Sequence, residues 1–410
     1  MVGEKKNTHI LITILFLALI LRIGFVLNLP LEFIQKWESD AAVYRSIAVN
    51  LINTHTYGRE VGIADAQDPP LYPFFLALIY KLFGAEKTGI IVIRLVQSFL
   101  GVLTCLLVYL IATRIFNQKI GILSSLIVAV HPAIIAYTGL HLTETLFIFL
   151  LSLFVLYFIK SYFVYSISTK DTFLCGLFWS LTVLNREELL LFPIFIILGL
   201  FWIGKEFKSV AKYAIVFLAG ALIILGPWIT RNYINFHKFV PVTKGGGEVL
   251  YVSNYLDPGE KWTPDGERFH RILQDAKINI HSSYVKETIK NLKDMLRYRP
   301  FEYLDMLWKK FKELWLHPSG LYQIPIKSLK ITYLLIHYLL LCLCGIGIIN
   351  SFALKNQKII PLILLLVYVI IFHVLILFPL ARYMLPFLPY VFIFSTSGFF
   401  YFYDRIIAGA

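Results

Sequence analysis

Long apolar runs recur along the chain, at residues 8–29, 90–115, 120–138, 143–164, 172–186, 188–204, 211–229, 331–350, 358–378 and 383–403. A helix needs about 20 apolar residues to cross the hydrocarbon core, so the pattern predicts an all-α, polytopic membrane helix bundle of about ten spans. The 172–186 and 188–204 pair is the shortest of the set. Two segments of the first loop, residues 30–88, follow a different pattern. Val43, Tyr44, Ile47, Ala48, Leu51 and Ile52 recur at helical spacing, which predicts an amphipathic interfacial helix over about 40–53. The apolar run from Leu71 to Tyr80 follows Pro69-Pro70 and is too short to span, so it predicts a second interfacial or re-entrant helix. The polar stretch 231–330 holds a glycine-rich turn at Thr243–Glu248 and helical patterns over 268–296 and 301–315. The second of these is amphipathic and aromatic, as an interfacial helix should be.

The short loops set the orientation. With the N-terminus inside, the cytoplasmic set holds Lys5, Lys6, Arg114, Lys119, Lys160, Lys170, Lys205, Lys208, Lys212, Lys355, Lys358 and Arg405. The opposing short loops, Thr138–Leu142 and Phe378–Ala381, hold no Lys or Arg. The positive-inside rule then puts the 30–88 and 231–330 loops on the outer face. The expected organisation is an N-terminal catalytic membrane module (1–230), an outer loop (231–330) and C-terminal membrane helices (331–410). The first run follows Lys5 and Lys6 without a small-residue cleavage site, so it is read as an uncleaved helix.

Composition excludes a soluble domain: of 410 residues, 58% are hydrophobic and 15% charged. The net charge of +13 is gathered beside the spans and in the long loop. That favours anionic lipid headgroups and a phosphorylated substrate over nucleic acid. Cys105, Cys175, Cys342 and Cys344 all fall inside apolar runs, with no disulfide or zinc spacing. No Walker loop and no Gly-x-Gly-x-x-Gly after a strand is present. If the chain is an enzyme, its activated substrate reaches it within the membrane, as a lipid phosphate.

Ionisable groups at membrane depth cost roughly 2.5–3.5 kcal/mol each on insertion scales, so their placement needs a reason. Glu38 and Asp40 follow the first run, and Asp68 precedes Pro69. His141 and Glu144 flank one outer turn, and Asn185, Arg186, Glu187 and Glu188 form another. Arg231 and Asn232 follow Pro227-Trp228, while Arg382 and Tyr383 begin the last run. All lie at outer ends, which implies one polar cavity opening outward. Plainer roles compete. Ser39 or Asp40, and Thr143 with Glu144, can cap helices. Glu187 and Glu188 can neutralise Arg186, and Arg231 can hold a headgroup phosphate. The histidines show no metal-binding cluster.

Several stretches, in order, resemble the membrane glycosyltransferases of family 39, of the GT-C type. They are Asp40-Ala41-Ala42-Val43-Tyr44, Pro69-Pro70-Leu71-Tyr72-Pro73, His131-Pro132, Thr143-Glu144-Thr145-Leu146-Phe147, Pro227-Trp228-Ile229-Thr230-Arg231-Asn232-Tyr233, Gly245-Gly246-Gly247 with Asn254, and Arg382-Tyr383-Met384-Leu385-Pro386-Phe387-Leu388-Pro389. Protein O-mannosyltransferases and the aminoarabinose transferases of lipid A belong to that group. The resemblance implies transfer of a sugar from a polyprenyl-phosphate donor to an acceptor hydroxyl on the outer face. It makes Asp40 the catalytic base and Glu144 the second acidic position. Arg231, Arg382, Tyr383, Arg186 and Tyr44 are then expected at the donor phosphate, and Glu38, Asp68 and His141 in the substrate cavity. Two positions depart from the group: Ala41 stands where the mannosyltransferases carry Glu, and Asp68 where the aminoarabinose enzymes carry Lys before Pro-Pro. The sugar and the acceptor, whether lipid, glycan or protein, therefore stay open.

The chemistry agrees. A sugar on a phosphate already has a leaving group, so the site needs a base for the acceptor hydroxyl and cations for the departing phosphate. Direct displacement inverts the anomeric centre. A divalent cation (Mg or Mn) between Asp40 and Glu144 is left open, and no dedicated metal site is expected. The competing class is a lipid-linked sugar flippase or transporter without transfer chemistry. Its signature would be midplane polar residues and broken, repeated helices. A hydrolase and a glycan polymerase are the enzymatic rivals.

Overall fold

The computed structural model describes residues 2–30, 39–162, 168–257, 262–263, 266–279, 283–319, 327–377 and 379–406. Every regular element among them is helical. In chain order they are α1 (Val2–Asn28), α2 (Ser39–Thr54), α3 (Leu71–Phe83), α4 (Lys87–Ile115), α5 (Gln118–Val130), α6 (Pro132–Ala136), α7 (Glu144–Tyr162), α8 (Thr169–Asn185) and α9 (Phe192–Trp202). Then follow α10 (Phe207–Phe236), α11 (Gly246–Asn254), α12 (Gly266–Asn279), α13 (Tyr284–Tyr298), α14 (Pro300–Trp315), α15 (Lys327–Ala353), α16 (Ile360–Leu375) and α17 (Leu388–Ile406). Two compact units result, one of residues 1–242, 339–364 and 386–410, the other of residues 243–338 and 365–385.

Seven helices are long and apolar enough to cross a membrane, or up to eight if the bent pair α5–α6 is one span. The chain is thus an all-α, multi-pass membrane protein. The two shortest expected spans form helices of 17 and 11 residues, α8 and α9. A 3₁₀ turn at Glu187–Leu189 separates them, and Pro193 starts the second. Neither reaches the ~20 residues of a full crossing.

The bend in α5–α6 has a chemical cause. Pro132 has no N–H to give to the Val128 carbonyl, and the axis turns by 57° there. Arg22 of α1, fully buried, supplies the missing donors: Nη2 donates to the Val128 carbonyl at 3.2 Å and Nη1 to the Ala129 carbonyl at 3.0 Å. His131 Nδ1 accepts from the Ile134 amide at 3.4 Å and restarts the helix. A break coded by one proline is therefore held by a side chain more than a hundred residues away.

In the first loop, α2 buries Ala41, Ile47 and Ala48, with Tyr44, Leu51 and Ile52 beside them. This is the apolar face read from the sequence. It packs against Tyr72, Leu76, Ile79 and Tyr80 of α3. Truncating Leu76, which is fully buried, to Ala would cost about 2–5 kcal/mol. Close backbone packing joins α8 to α10. A Cβ on Gly176 would lie 2.0 Å from the Phe217 carbonyl oxygen, and one on Gly220 2.1 Å from that of Phe173. Only glycine admits that approach.

Candidate active site

Two helix starts and one turn in the first unit bring the carboxylates together. Asp40 lies half-buried in the first turn of α2, and Glu144 opens α7. The 3₁₀ turn after α8 brings up Arg186 and Glu188.

Arg186 sits between two buried acids. Its Nη1 donates to Glu144 Oε1 at 3.0 Å and to Thr143 Oγ1 at 3.0 Å. Its Nε donates to Glu188 Oε1 at 2.7 Å, and Nη2 reaches the same oxygen at 2.5 Å. The Arg186 side chain is 11% exposed, that of Glu144 1% and that of Glu188 7%. Asn185 Nδ2 donates to the Thr143 carbonyl at 3.1 Å, which ties the turn to the start of α7. The Phe147 ring lies under the guanidinium at 5.6 Å. Two carboxylates around one cation leave one surplus negative charge. Glu144 Oε2 is buried and makes no hydrogen bond. That oxygen is a free acceptor within the cluster.

Tyr44 joins this cluster to the first loop. Its ring meets Tyr72 edge-on at 5.5 Å, and Tyr72 in turn donates to Gln97 Oε1 at 3.0 Å. Burial pushes the Tyr44 phenol up; Asp40, Glu144 and Asp68 push it the same way, and Arg186 opposes them. Four of the residues singled out from the sequence therefore act on one phenol.

Direct contacts divide the candidate residues further. Asp68 is paired with Arg59, whose Nε donates to Oδ2 at 2.7 Å and Nη2 to Oδ1 at 3.1 Å. His141 is buried; burial first, then Arg94 and Arg45, lower its imidazole to about 4, so it is neutral at neutral pH. Arg231 clamps the first loop: Nη1 donates to the Asp65 carbonyl at 2.6 Å and Nη2 to the Tyr57 carbonyl at 2.8 Å. The Trp228 ring covers it at 4.9 Å. Both arginines expected at a donor phosphate in this unit, Arg186 and Arg231, thus direct their donors to protein oxygens. Arg382 and Tyr383 belong to the second unit, where the Arg382 guanidinium lies over the Tyr383 ring at 5.6 Å and the His373 ring meets it tilted, at 5.9 Å. Glu38 lies outside the described residues.

Among the described residues no group of three His, Cys, Asp or Glu side chains is placed to hold a metal ion. Glu144 offers one oxygen only, since Arg186 holds the other. Among the described residues the donor set does not fit a divalent cation. Sequence reading passed over Arg59 and the contact of Thr143 with Arg186. Arg59 stands in a polar loop where a single charge carries no positional signal. Thr143 was read as a cap.

Residues 67–230 match the family model described as dolichyl-phosphate-mannose-protein mannosyltransferase. No curated protein sequence matches the chain. Among solved structures, the Archaeoglobus fulgidus oligosaccharyltransferase in complex with an inhibitory peptide and a dolichol-phosphate aligns with a TM-score of 0.59 at 12% identity, over 98% of this chain and 51% of that one. The apo form of the Archaeoglobus fulgidus oligosaccharyltransferase gives 0.58 at 14% identity, over 98% and 51%. ArnT from Cupriavidus metallidurans, bound to undecaprenyl phosphate, aligns at 0.43 and 11% identity, over 97% and 77%. The chain spans about half the length of the archaeal enzymes it matches. The resemblance to the GT-C glycosyltransferases read from the sequence is borne out, in sequence over residues 67–230 and in fold by the archaeal structures.

Proposed function

We propose that the chain is a membrane glycosyltransferase that moves a sugar from a polyprenyl-phosphate donor to an acceptor hydroxyl on the extracytoplasmic face. The observation that carries the reading is the set of carboxylates around Tyr44. Asp40 stands in the first turn of an interfacial helix, with Glu144, Asp68 and Arg186 acting on the same phenol. In this reading Asp40 takes the acceptor hydroxyl proton as the oxygen attacks the anomeric carbon. The carbon–phosphate-oxygen bond breaks on the opposite side, so the anomeric centre inverts. The departing phosphate carries its own negative charge and needs no general acid. Glu144 Oε2 orients the acceptor by accepting a hydrogen bond, and Arg186 holds Glu144 in place.

The test is mass spectrometry of glycolipids and surface glycans from cells with and without the chain. Transfer predicts that cells lacking it lose one sugar from an acceptor while the polyprenyl-phosphate sugar accumulates. A flippase predicts no transfer by the purified protein with both substrates on one side of a vesicle, and that result would replace the enzymatic reading.

A further inference from the structure

The second unit carries an apolar face that its own core does not use. Around α13, Thr288 and Met295 are buried. Next around the helix come Val285, Ile289 and Leu296, exposed by 44%, 49% and 58%. Beyond them lie Lys286, Lys290, Lys293 and Arg297, all solvent-facing, and only then Glu287 and Asp294. Going round, the order is core, exposed apolar, basic, acidic. On α14, Met306, Lys310 and Leu314 are buried, while Phe301, Leu304 and Trp308 are exposed by 84%, 58% and 54%. Lys312 lies over the Trp308 ring at 5.7 Å.

A face of this kind in water would be an aggregation hazard. Three features select its cover. The basic band borders the apolar face of α13 directly, and that is the charge order of helices lying on anionic headgroups. The exposed aromatics of α14 include Trp308 with a lysine beside it, the pairing favoured at a membrane–water boundary. The membrane helix α15 starts at Lys327, 12 residues after α14 ends at Trp315, which tethers this face within reach of the bilayer. We propose that α13 and α14 lie on the membrane surface, with Val285, Ile289 and Phe301 set into the acyl boundary and the α13 basic row bound to anionic phospholipid headgroups. The proposal is independent of the transfer chemistry.

The test uses the full chain in lipid nanodiscs, of phosphatidylcholine alone or with phosphatidylglycerol, carrying the photo-crosslinker p-benzoylphenylalanine in place of Phe301 or, separately, Trp308. Irradiation should give lipid adducts at both positions. In the mixed discs, phosphatidylglycerol should be captured several-fold above its mole fraction. Basic residues near an anionic surface each add to the local lipid preference, by up to roughly fivefold, so K286Q/K290Q/K293Q/R297Q, which removes the whole row, should return capture to the mole fraction. Hydrogen exchange of α13 on the unsubstituted chain, slower in mixed than in neutral discs, checks the same point without a substitution. Capture of both lipids at their mole fractions, absence of lipid adducts, or adducts to a second protein chain would each overturn the proposal.

Discussion

Arg186 and Lys310 are both cations largely withdrawn from solvent, and their surroundings are opposite. In the first unit Arg186 has a carboxylate on each side, Glu144 at 3.0 Å and Glu188 at 2.5 Å. In the second unit Lys310 is fully buried, and among the described residues its Nζ reaches only an amide, Asn254 Oδ1 at 3.3 Å. Asn254 Nδ2 donates to the Leu250 carbonyl at 2.9 Å, so the amide oxygen faces the lysine by necessity. Burial, with Arg268 adding to it, lowers the Lys310 ammonium to about 7. One cation is over-compensated and leaves a spare carboxylate oxygen. The other is under-compensated and sits near the edge of losing its proton. A surplus acceptor can take part in chemistry, whereas a buried lysine opposite an amide is a cost to stability.

The sharpest way to break that contrast is to remove the Arg186 charge. Arg186→Met leaves Glu144 and Glu188 buried without their cation, and the loss should be roughly 3–5 kcal/mol, read as a large drop in unfolding temperature in detergent. An unchanged melting curve would mean that the two acids do not depend on Arg186.

Lys310→Met should act in the other direction. The folded value of about 7 lies below the ordinary 10.5, so between these pH values the unfolded chain holds a proton that the folded chain lacks. Stability from this group therefore rises with pH across that window, by roughly 1.4 kcal/mol per unit, and is lowest and flat below it. Met fills similar space without charge. At pH 6.5 the variant should be the more stable protein, and its advantage should shrink as the pH approaches 9. An advantage that does not change with pH would show that the ammonium keeps its proton.

The smallest effect belongs to Asp68. Its partner Arg59 is 42% exposed, so the pair is screened and Asp68→Asn should cost about 0.2–1 kcal/mol in the same unfolding measurement. A loss as large as that of Arg186→Met would place Asp68 in the buried network.

Much of this was legible in the chain. Apolar period and run length carried the helices, and the face Tyr44–Ile47–Ala48–Leu51 packs as its spacing implied. Glu188 as a neutraliser of Arg186 was also readable, because the two are separated by one residue in a short turn. Partner choice over distance was not. Glu144 and Arg186 are 42 residues apart, and nothing in either stretch says that one holds the other. Arg22 and the Pro132 break are likewise joined only by packing. The partners of Arg231 were hidden for the same reason: an arginine at an outer helix end looks the same whether it meets a phosphate or the carbonyls of Tyr57 and Asp65. Backbone acceptors leave no mark in a sequence.

The central claim is that Asp40 works as a base and does not merely cap α2. Asn caps a helix nearly as well as Asp but takes no proton at neutral pH. Asp40→Asn should therefore fold and still bind a polyprenyl-phosphate sugar, while the rate of transfer falls roughly 10²–10⁴-fold. Glu144→Gln, measured alongside, keeps a hydrogen-bonding side chain at the acceptor and should lose less. A well-folded Asp40→Asn protein that transfers sugar at a near-normal rate would contradict the account.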